Sequence, residues 1–150
     1  MKGTTKSTKA HEISVTNHQS KLAIDRRVIV RAVRGVLTEA AVQKACISVV
    51  VVDDPTIHDL NRRFLAHDYP TDVLSFPLST DSENLDGEIV VSADTASQSA
   101  SQFGWSAAEE LLLYIIHGTL HLVGYDDHTP RQRAKMRAQE RAHLEQLKNK

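Results

Sequence analysis

Residues 117–128 read HGTLHLVGYDDH and place several potential metal ligands at the end of an apolar run. Ser106 and Glu109 have the spacing of a capping box, which predicts that a helix begins there. The apolar run over residues 111–123 ends at Gly124, a residue type that is common just past a helix C-terminus. Because this helix is apolar on nearly every face, we expect it to lie at the centre of the core.

His117 and His121 are four residues apart, so they lie on one face of the predicted helix and their imidazoles can converge on a single ion. A lone histidine on an apolar helix is more often a packed core residue whose ring nitrogens are hydrogen-bonded. Two histidines at this spacing, followed by Asp127 and His128, instead indicate a metal site with its third ligand at one of those two positions. Three protein ligands with one open position are typical of catalytic zinc, which lowers the pKa of its water to about 7.

The chain has 150 residues, of which 41% are hydrophobic, and this is enough for one domain with a substantial core. We expect a disordered N-terminal tip over residues 1–10 and a single domain over residues 11–150. The tip is polar and basic, without the hydrophobic stretch of a signal peptide, and the run over 111–123 is too short for a membrane span. Cys46 is the only cysteine, which excludes an intrachain disulfide and favours a reducing cytoplasmic location.

Charge is unevenly distributed, although the formal net charge is only -1. Residues 64–130 contain acidic side chains but no Lys or Arg, whereas residues 131–150 are rich in Lys and Arg and include only Glu140 and Glu145 as acids. We therefore predict a basic contact helix over residues 130–150 that could hold a phosphate backbone near the metal site. The alternative is that this helix only presents a charged face to solvent.

Strands and helices alternate along the chain. The patterns predict strands over 12–17, 46–52, 73–78 and 88–92, and helices over 24–37, over 54–65, across the histidine segment and from Pro130 onward. The inner face of the last helix should consist of Met136, Glu140, His143, Leu144 and Leu147. The predicted fold is a single α+β domain, in which a mixed sheet of about four strands packs with about five helices around the central helix that carries the HxxxH motif.

HxxxH helices that bind zinc are best known from metallopeptidases, in which a Glu directly after the first His acts as general base. In this chain that position is Gly118, which has no proton-accepting group, so a metallopeptidase is the least favoured function. A glycine inside a helix costs about 1 kcal/mol relative to alanine, which usually signals a close approach of other backbone or of substrate.

Four motifs resemble those of a known family. HGTLHLVGYDD (117–127) is preceded by Leu60-Asn61, by PTDVLSFP (70–77) and by LDGEIVVS (85–92), in the order that the family shows. Over about residues 46–130, the chain is thereby similar to the YbeY family of bacterial metal-dependent endoribonucleases.

This resemblance implies an α+β fold around a helix that binds one Zn²⁺ per chain. It also implies a cytoplasmic, single-strand-specific endoribonuclease whose partners are ribosomal RNA and the small ribosomal subunit. The implied role lies in 3′-end maturation of 16S ribosomal RNA and in ribosome quality control. The alternative is a non-catalytic ribosome- or RNA-binding assembly factor whose zinc is structural.

The chain departs from the family pattern at the third ligand. The family has a His six residues after the second histidine, whereas this chain has Asp127 there, with His128 one step later. Register favours Asp127, and either side chain is an acceptable ligand. A carboxylate would make the site harder and loosen its preference for zinc over manganese or magnesium.

The second departure is Leu65, which stands where the family has an Arg beside an aromatic residue, here Phe64. Arg62 and Arg63 are near in sequence but would point elsewhere on a helix. If the family Arg contacts phosphate, its task in this chain is unfilled or passes to another residue.

The sequence does not identify a general base. We expect the attacking group to be a water activated by the metal, with Asp72, Glu88 and His67 as candidate catalytic residues in or near the family-like motifs. Asp72 and Ser75 are also candidates for lining the cleft. A turn, cap or strand-end role explains each of these residues at least equally well.

Overall fold

A computed structural model describes residues 10–65, 72–79 and 84–149, apart from the side chains of residues 64, 65 and 103. The expected tip lies outside the described residues except for its last position, and so does His67. The strands are β1 (His11–Asn17), β2 (Lys44–Val52), β3 (Val73–Ser79) and β4 (Asn84–Ser92). The helices are α1 (Arg26–Glu39), α2 (Asp54–Leu65), α3 (Ala93–Phe103), α4 (Ala107–Leu122) and α5 (Pro130–Lys148).

The described strands form one mixed sheet in the order β1-β2-β4-β3. β1, β2 and β4 run parallel, and β3 lies at the edge, antiparallel to β4. β2 lies between two parallel neighbours, and its side chains Ile47, Val49 and Val51 are at most 1% exposed. A nearly continuous apolar run is typical of such a buried strand. The sheet and the helices together confirm the predicted α+β domain.

The helix that carries the two histidines is central, as predicted. α4 begins with the capping box of Ser106 and Glu109, and Gly124 follows it in a left-handed conformation with φ of 110°. The helix contacts α1, α3, α5 and the strands β3 and β4, and its residues Ile115 and Ile116 are fully buried. Among the described residues, no helix combines the length and apolar character that a membrane span requires.

Two elements differ from the sequence-based expectation. β4 begins at Asn84, because residues 84–87 pair in register with residues 44–47 of β2 although they include the polar Asp86. No predicted helix corresponds to α3, whose buried positions Ala93, Ala96 and Ala100 carry only small side chains. Its local signals are the N-cap Ser92, whose Oγ accepts from Thr95 N at 3.2 Å, and the left-handed Gly104 after its end.

α5 packs on α1 and α4 with the predicted inner face. Met136, His143 and Leu144 are buried, and Glu140 and Leu147 are half-buried. The helix therefore has one side in the core, and most of its basic side chains are exposed.

α4 approaches the sheet closely at Gly118. A Cβ atom at this position would lie 2.9 Å from Ile89 Cγ2, 2.9 Å from Ser75 Oγ and 3.1 Å from Val73 Cγ2. Ser75 Oγ also donates a hydrogen bond of 3.1 Å to the Gly118 carbonyl oxygen. A close approach at this glycine is confirmed, but the approaching atoms belong to side chains of the sheet and not to backbone or substrate.

We expect Gly118→Ala to lower the free energy of unfolding by about 1–3 kcal/mol, because crowding against the sheet outweighs the gain of about 1 kcal/mol in helix propensity. The matched control is Gly35→Ala in α1, where a Cβ atom would meet only His143 Nδ1, at 3.8 Å. There the gain in propensity should stabilise the protein. Urea denaturation measures both changes, and a Gly118→Ala variant as stable as the control would contradict the close packing.

Burial of His143 makes the stability of the fold depend on pH. The side chain is 4% exposed, and burial lowers its pKa, which the Glu39 carboxylate at 3.8 Å offsets only in part. His143 in the folded state therefore takes up a proton at a lower pH than in the unfolded chain, where the imidazole is protonated as the pH falls below about 6.5. The contribution of the buried neutral imidazole to the free energy of unfolding is therefore present above that pH and is lost on acidification.

We expect the wild-type protein to lose more unfolding free energy than a His143→Gln variant when the pH falls from about 7.5 to about 5.5. Only the slope with pH is compared, so a constant loss of stability in the variant does not affect the result. Urea denaturation at a series of pH values measures it. Parallel slopes for the two proteins would show that His143 does not titrate on unfolding.

Candidate metal centre

The last turns of α4 bring His117 and His121 together on one face of the helix. Their ring centroids are 4.6 Å apart, and their Nε2 atoms are 3.1 Å apart. The two side chains are 25% and 28% exposed, so they lie at the border between the core and the surface. The spacing of four residues predicts this arrangement, because such residues lie about one turn apart.

The loop after α4 brings Asp127 back to the two histidines. The left-handed Gly124 reverses the chain, and Tyr125 N donates a hydrogen bond of 2.9 Å to the Leu120 carbonyl oxygen. Asp127 Oδ2 then lies 3.6 Å from His117 Nε2 and 3.4 Å from His121 Nε2.

These three atoms could hold a metal ion. The edges of their triangle measure 3.1, 3.4 and 3.6 Å. Ligands at zinc distances in a regular tetrahedron would be about 3.3–3.4 Å apart, so the observed spacing fits a single ion of this size. Two imidazole nitrogens and one carboxylate oxygen are donors that suit zinc and harder divalent ions. Three protein donors leave a coordination position for solvent or substrate.

His128, the alternative third ligand, lies outside this group. Its side chain is 79% exposed, and its Nε2 is 4.0 Å from Asp126 Oδ1. Its backbone N donates to Gln132 Oε1 at 3.0 Å, as part of the turn that begins α5. Of the two positions that the sequence leaves open, the geometry therefore favours Asp127, and the assignment of the ligands stays a prediction.

Glu140 contacts the opposite side of the His117 ring. Its Oε2 lies 2.5 Å from His117 Nδ1. Burial by itself lowers the pKa of His117, but the carboxylates of Glu140, Asp72 and Asp127 together raise it above its ordinary value. The sequence predicts that Glu140 lies on the inner face of α5 but does not predict that it contacts His117. The available signal is an acid at a core-facing position of a basic helix.

An open cleft of about 430 Å³ adjoins the three atoms. Its lining consists of Asp72, Val73, Leu74, Ser75, Pro77, His117, His121, Leu122 and Asp127. Asp72 and Ser75 are thus at the cleft, as expected, although Ser75 Oγ is engaged with Gly118. Glu88 lies in β4 opposite Phe76 and is not part of the lining.

The position of the missing family Arg is described only in part. The side chain of Leu65 lies outside the described residues. Arg62 and Arg63 both bind Asp59, at 2.8 and 3.3 Å, and are more than half exposed. These two residues therefore form ion pairs within α2 at the surface, and the expectation that they point away from the position of the family Arg stays a prediction.

Comparison with known proteins gives a consistent result. A sequence model of the family described as Endoribonuclease YbeY matches residues 14–148. Endoribonuclease YbeY from Rhodopirellula baltica is 47% identical over 112 residues, which cover 71% of this chain and 58% of that protein. The protein of the same name from Syntrophus aciditrophicus is 40% identical over 135 residues, with 85% and 84% covered. That from Pelotomaculum thermopropionicum is 38% identical over 146 residues, with 90% and 96% covered.

A solved structure has the same fold. The solution structure of a Thermotoga maritima protein superposes with a TM-score of 0.64 and 27% sequence identity, covering 90% of this chain and 88% of that one. The family match extends from within β1 to the end of α5 and includes His117, His121, Asp127 and Glu140. The chain belongs to the Endoribonuclease YbeY family.

Proposed function

We propose that this chain is a metal-dependent endoribonuclease that cuts single-stranded RNA in 3′-end maturation of 16S ribosomal RNA and in ribosome quality control. The observation that carries this proposal is the convergence of His117 Nε2, His121 Nε2 and Asp127 Oδ2 beside an open cleft. The relatives that match are named for endoribonuclease activity. The proposed partners are ribosomal RNA and the small ribosomal subunit, and the proposed location is the cytoplasm.

We propose one Zn²⁺ per chain, held by His117, His121 and Asp127, with manganese or magnesium as alternatives because one ligand is a carboxylate. When bound, such an ion would activate a water for attack on a phosphodiester and offset the charge that develops there. The task of the protein is to hold the three donor atoms and admit an RNA strand. Among the candidate bases, Asp72 has the best support because it lines the same cleft.

Contacts with phosphate would come from α5, because the described lining of the cleft contains no Lys or Arg. Arg133 donates hydrogen bonds to the carbonyl oxygens of Asp127 and His128, at 3.3 and 3.1 Å. Lys135 Nζ lies 5.8 Å from the centre of the Tyr125 ring. Both cations therefore border the loop that carries Asp127, and a guanidinium has further donors with which to bind phosphate.

Two alternatives have weaker support. A structural zinc is usually closed by four protein ligands, whereas this group has three and adjoins a cleft. A peptidase of the HxxxH type needs a Glu at position 118, where even a Cβ atom would lie 2.9 Å from Ile89 and Ser75. The endoribonuclease is therefore the function that the geometry supports best.

The purified protein should contain about one equivalent of metal, and His117→Ala and His121→Ala should each abolish both metal binding and RNA cleavage. Each substitution leaves only two donors. Mass spectrometry of the metal and cleavage of a single-stranded RNA oligonucleotide measure the two effects. His128→Ala is the matched control, and it should keep the metal and the activity because its imidazole lies outside the group.

Metal-free protein that cleaves RNA at the wild-type rate would contradict the mechanism. Chelation distinguishes the endoribonuclease from an assembly factor with a structural zinc. Removal of a structural ion lowers the melting temperature strongly, whereas removal of a catalytic ion mainly stops cleavage. If His128→Ala lost the metal and Asp127→Ala kept it, the third ligand would be His128 and not Asp127.

We expect Asp127→His to keep one metal ion and to raise the affinity for zinc relative to manganese, on the order of tenfold, because imidazole is the softer ligand. Competition between the two ions, followed by metal analysis of the recovered protein, measures this ratio. Asp127→Asn is the control for loss of charge without a new imidazole. An unchanged zinc-to-manganese ratio in Asp127→His would argue against Asp127 as a ligand.

A further inference from the structure

Glu140 is an acidic residue on a basic helix, and its carboxylate is turned toward the protein interior. The side chain is 18% exposed, whereas Glu145 on the same helix is exposed to solvent. Arg137 lies one turn away on α5, yet the short contact of Glu140 is with the imidazole of His117, 2.5 Å away. The carboxylate therefore has a specific partner on another helix, and that partner belongs to the metal centre.

This contact selects one form of the His117 ring. A carboxylate can only accept a hydrogen bond, so His117 Nδ1 must carry the proton that is shared with Glu140. In the neutral ring the lone pair then lies on Nε2. Nε2 is the atom that faces the other donors, 3.1 Å from His121 Nε2 and 3.6 Å from Asp127 Oδ2.

We propose that Glu140 is a positioning residue of the metal centre, which holds His117 in the tautomer and ring orientation that binding through Nε2 requires. This inference rests on the metal site of the proposed function. A histidine that binds a metal commonly donates its other N–H to a carboxylate, which orients the ring and makes the ligand nitrogen more basic. Glu140 supplies that carboxylate from α5, an element that contributes none of the three donor atoms.

A second residue of α5, Arg133, contacts the loop that carries Asp127. Arg133 lies seven residues before Glu140, which is about two turns and therefore the same side of the helix. Its guanidinium donates to the carbonyl oxygens of Asp127 and His128. One side of α5 thus supports both the ligand from α4 and the loop that carries Asp127.

The test compares Glu140→Gln with Glu145→Gln in the full-length protein, because both substitutions remove one negative charge from the same helix. Competition with a chromophoric chelator at one fixed pH measures the dissociation constant for zinc. Glu140→Gln should weaken zinc binding by about 10- to 100-fold, and Glu145→Gln should leave it nearly unchanged. Far-UV circular dichroism of the metal-free proteins checks that both variants are folded.

A spectroscopic readout tests the position of the proton directly. In zinc-loaded wild-type protein, NMR should detect a slowly exchanging imidazole N–H at His117 Nδ1, and Glu140→Ala should lose this resonance. A folded Glu140→Gln variant with wild-type affinity for zinc would overturn the inference and leave the proposed function intact. Equal weakening in both glutamine variants would also overturn it, because net charge would then be the cause. Wild-type protein that binds no zinc, manganese or magnesium would overturn the proposed function as well.

Discussion

The close contact of α4 with strands β3 and β4 is the constraint on which the metal centre depends. At Gly118 the helix lies so near the sheet that a Cβ atom would be 2.9 Å from Ile89 and from Ser75. A second glycine, Gly87 on β4, makes room in the same way, since a Cβ there would lie 2.8 Å from Leu122. One glycine on the helix and one on the strand therefore allow the C-terminal half of α4 to pack closely on the sheet.

This contact explains both the place of the site and the chemistry that it lacks. His117 directly precedes the contact and His121 follows it by three residues, so the helix presents both imidazoles where β3 and the loop after α4 border a cleft. The position after the first histidine faces the sheet, where a peptidase-type glutamate has no space. In our proposal the bound ion would therefore supply the chemistry, and the protein would contribute the positions of the donor atoms.

The centre also combines short-range and long-range interactions. The two histidines belong to one helix, and the left-handed Gly124 brings Asp127 back within a few residues. Glu140 comes from a different helix and reaches His117 across the packing of α4 and α5. The basic helix therefore has two tasks in our proposal, since Arg133 and Lys135 offer cations to RNA while Glu140 supports the ligand histidine.

The sequence by itself determined the features that depend on neighbouring residues. Periodicity, the capping box at Ser106 and the glycine at position 124 predict α4, and the spacing of four predicts that His117 and His121 converge, because helical geometry is regular. β-Branched runs and turn residues likewise predict the mixed sheet. α3 escapes prediction because the residues on its buried face are small alanines, and the first half of β4 escapes it because this polar segment pairs with the distant strand β2.

Only the tertiary structure favours Asp127 over His128 as the predicted third ligand, because it brings the Asp127 carboxylate to the two histidines and leaves the His128 side chain exposed. It also brought Glu140 to His117 and placed Asp72, but not Glu88, at the cleft. The physical reason is that local sequence determines the conformation of each segment, whereas the distance between two side chains on different segments depends on how those segments pack.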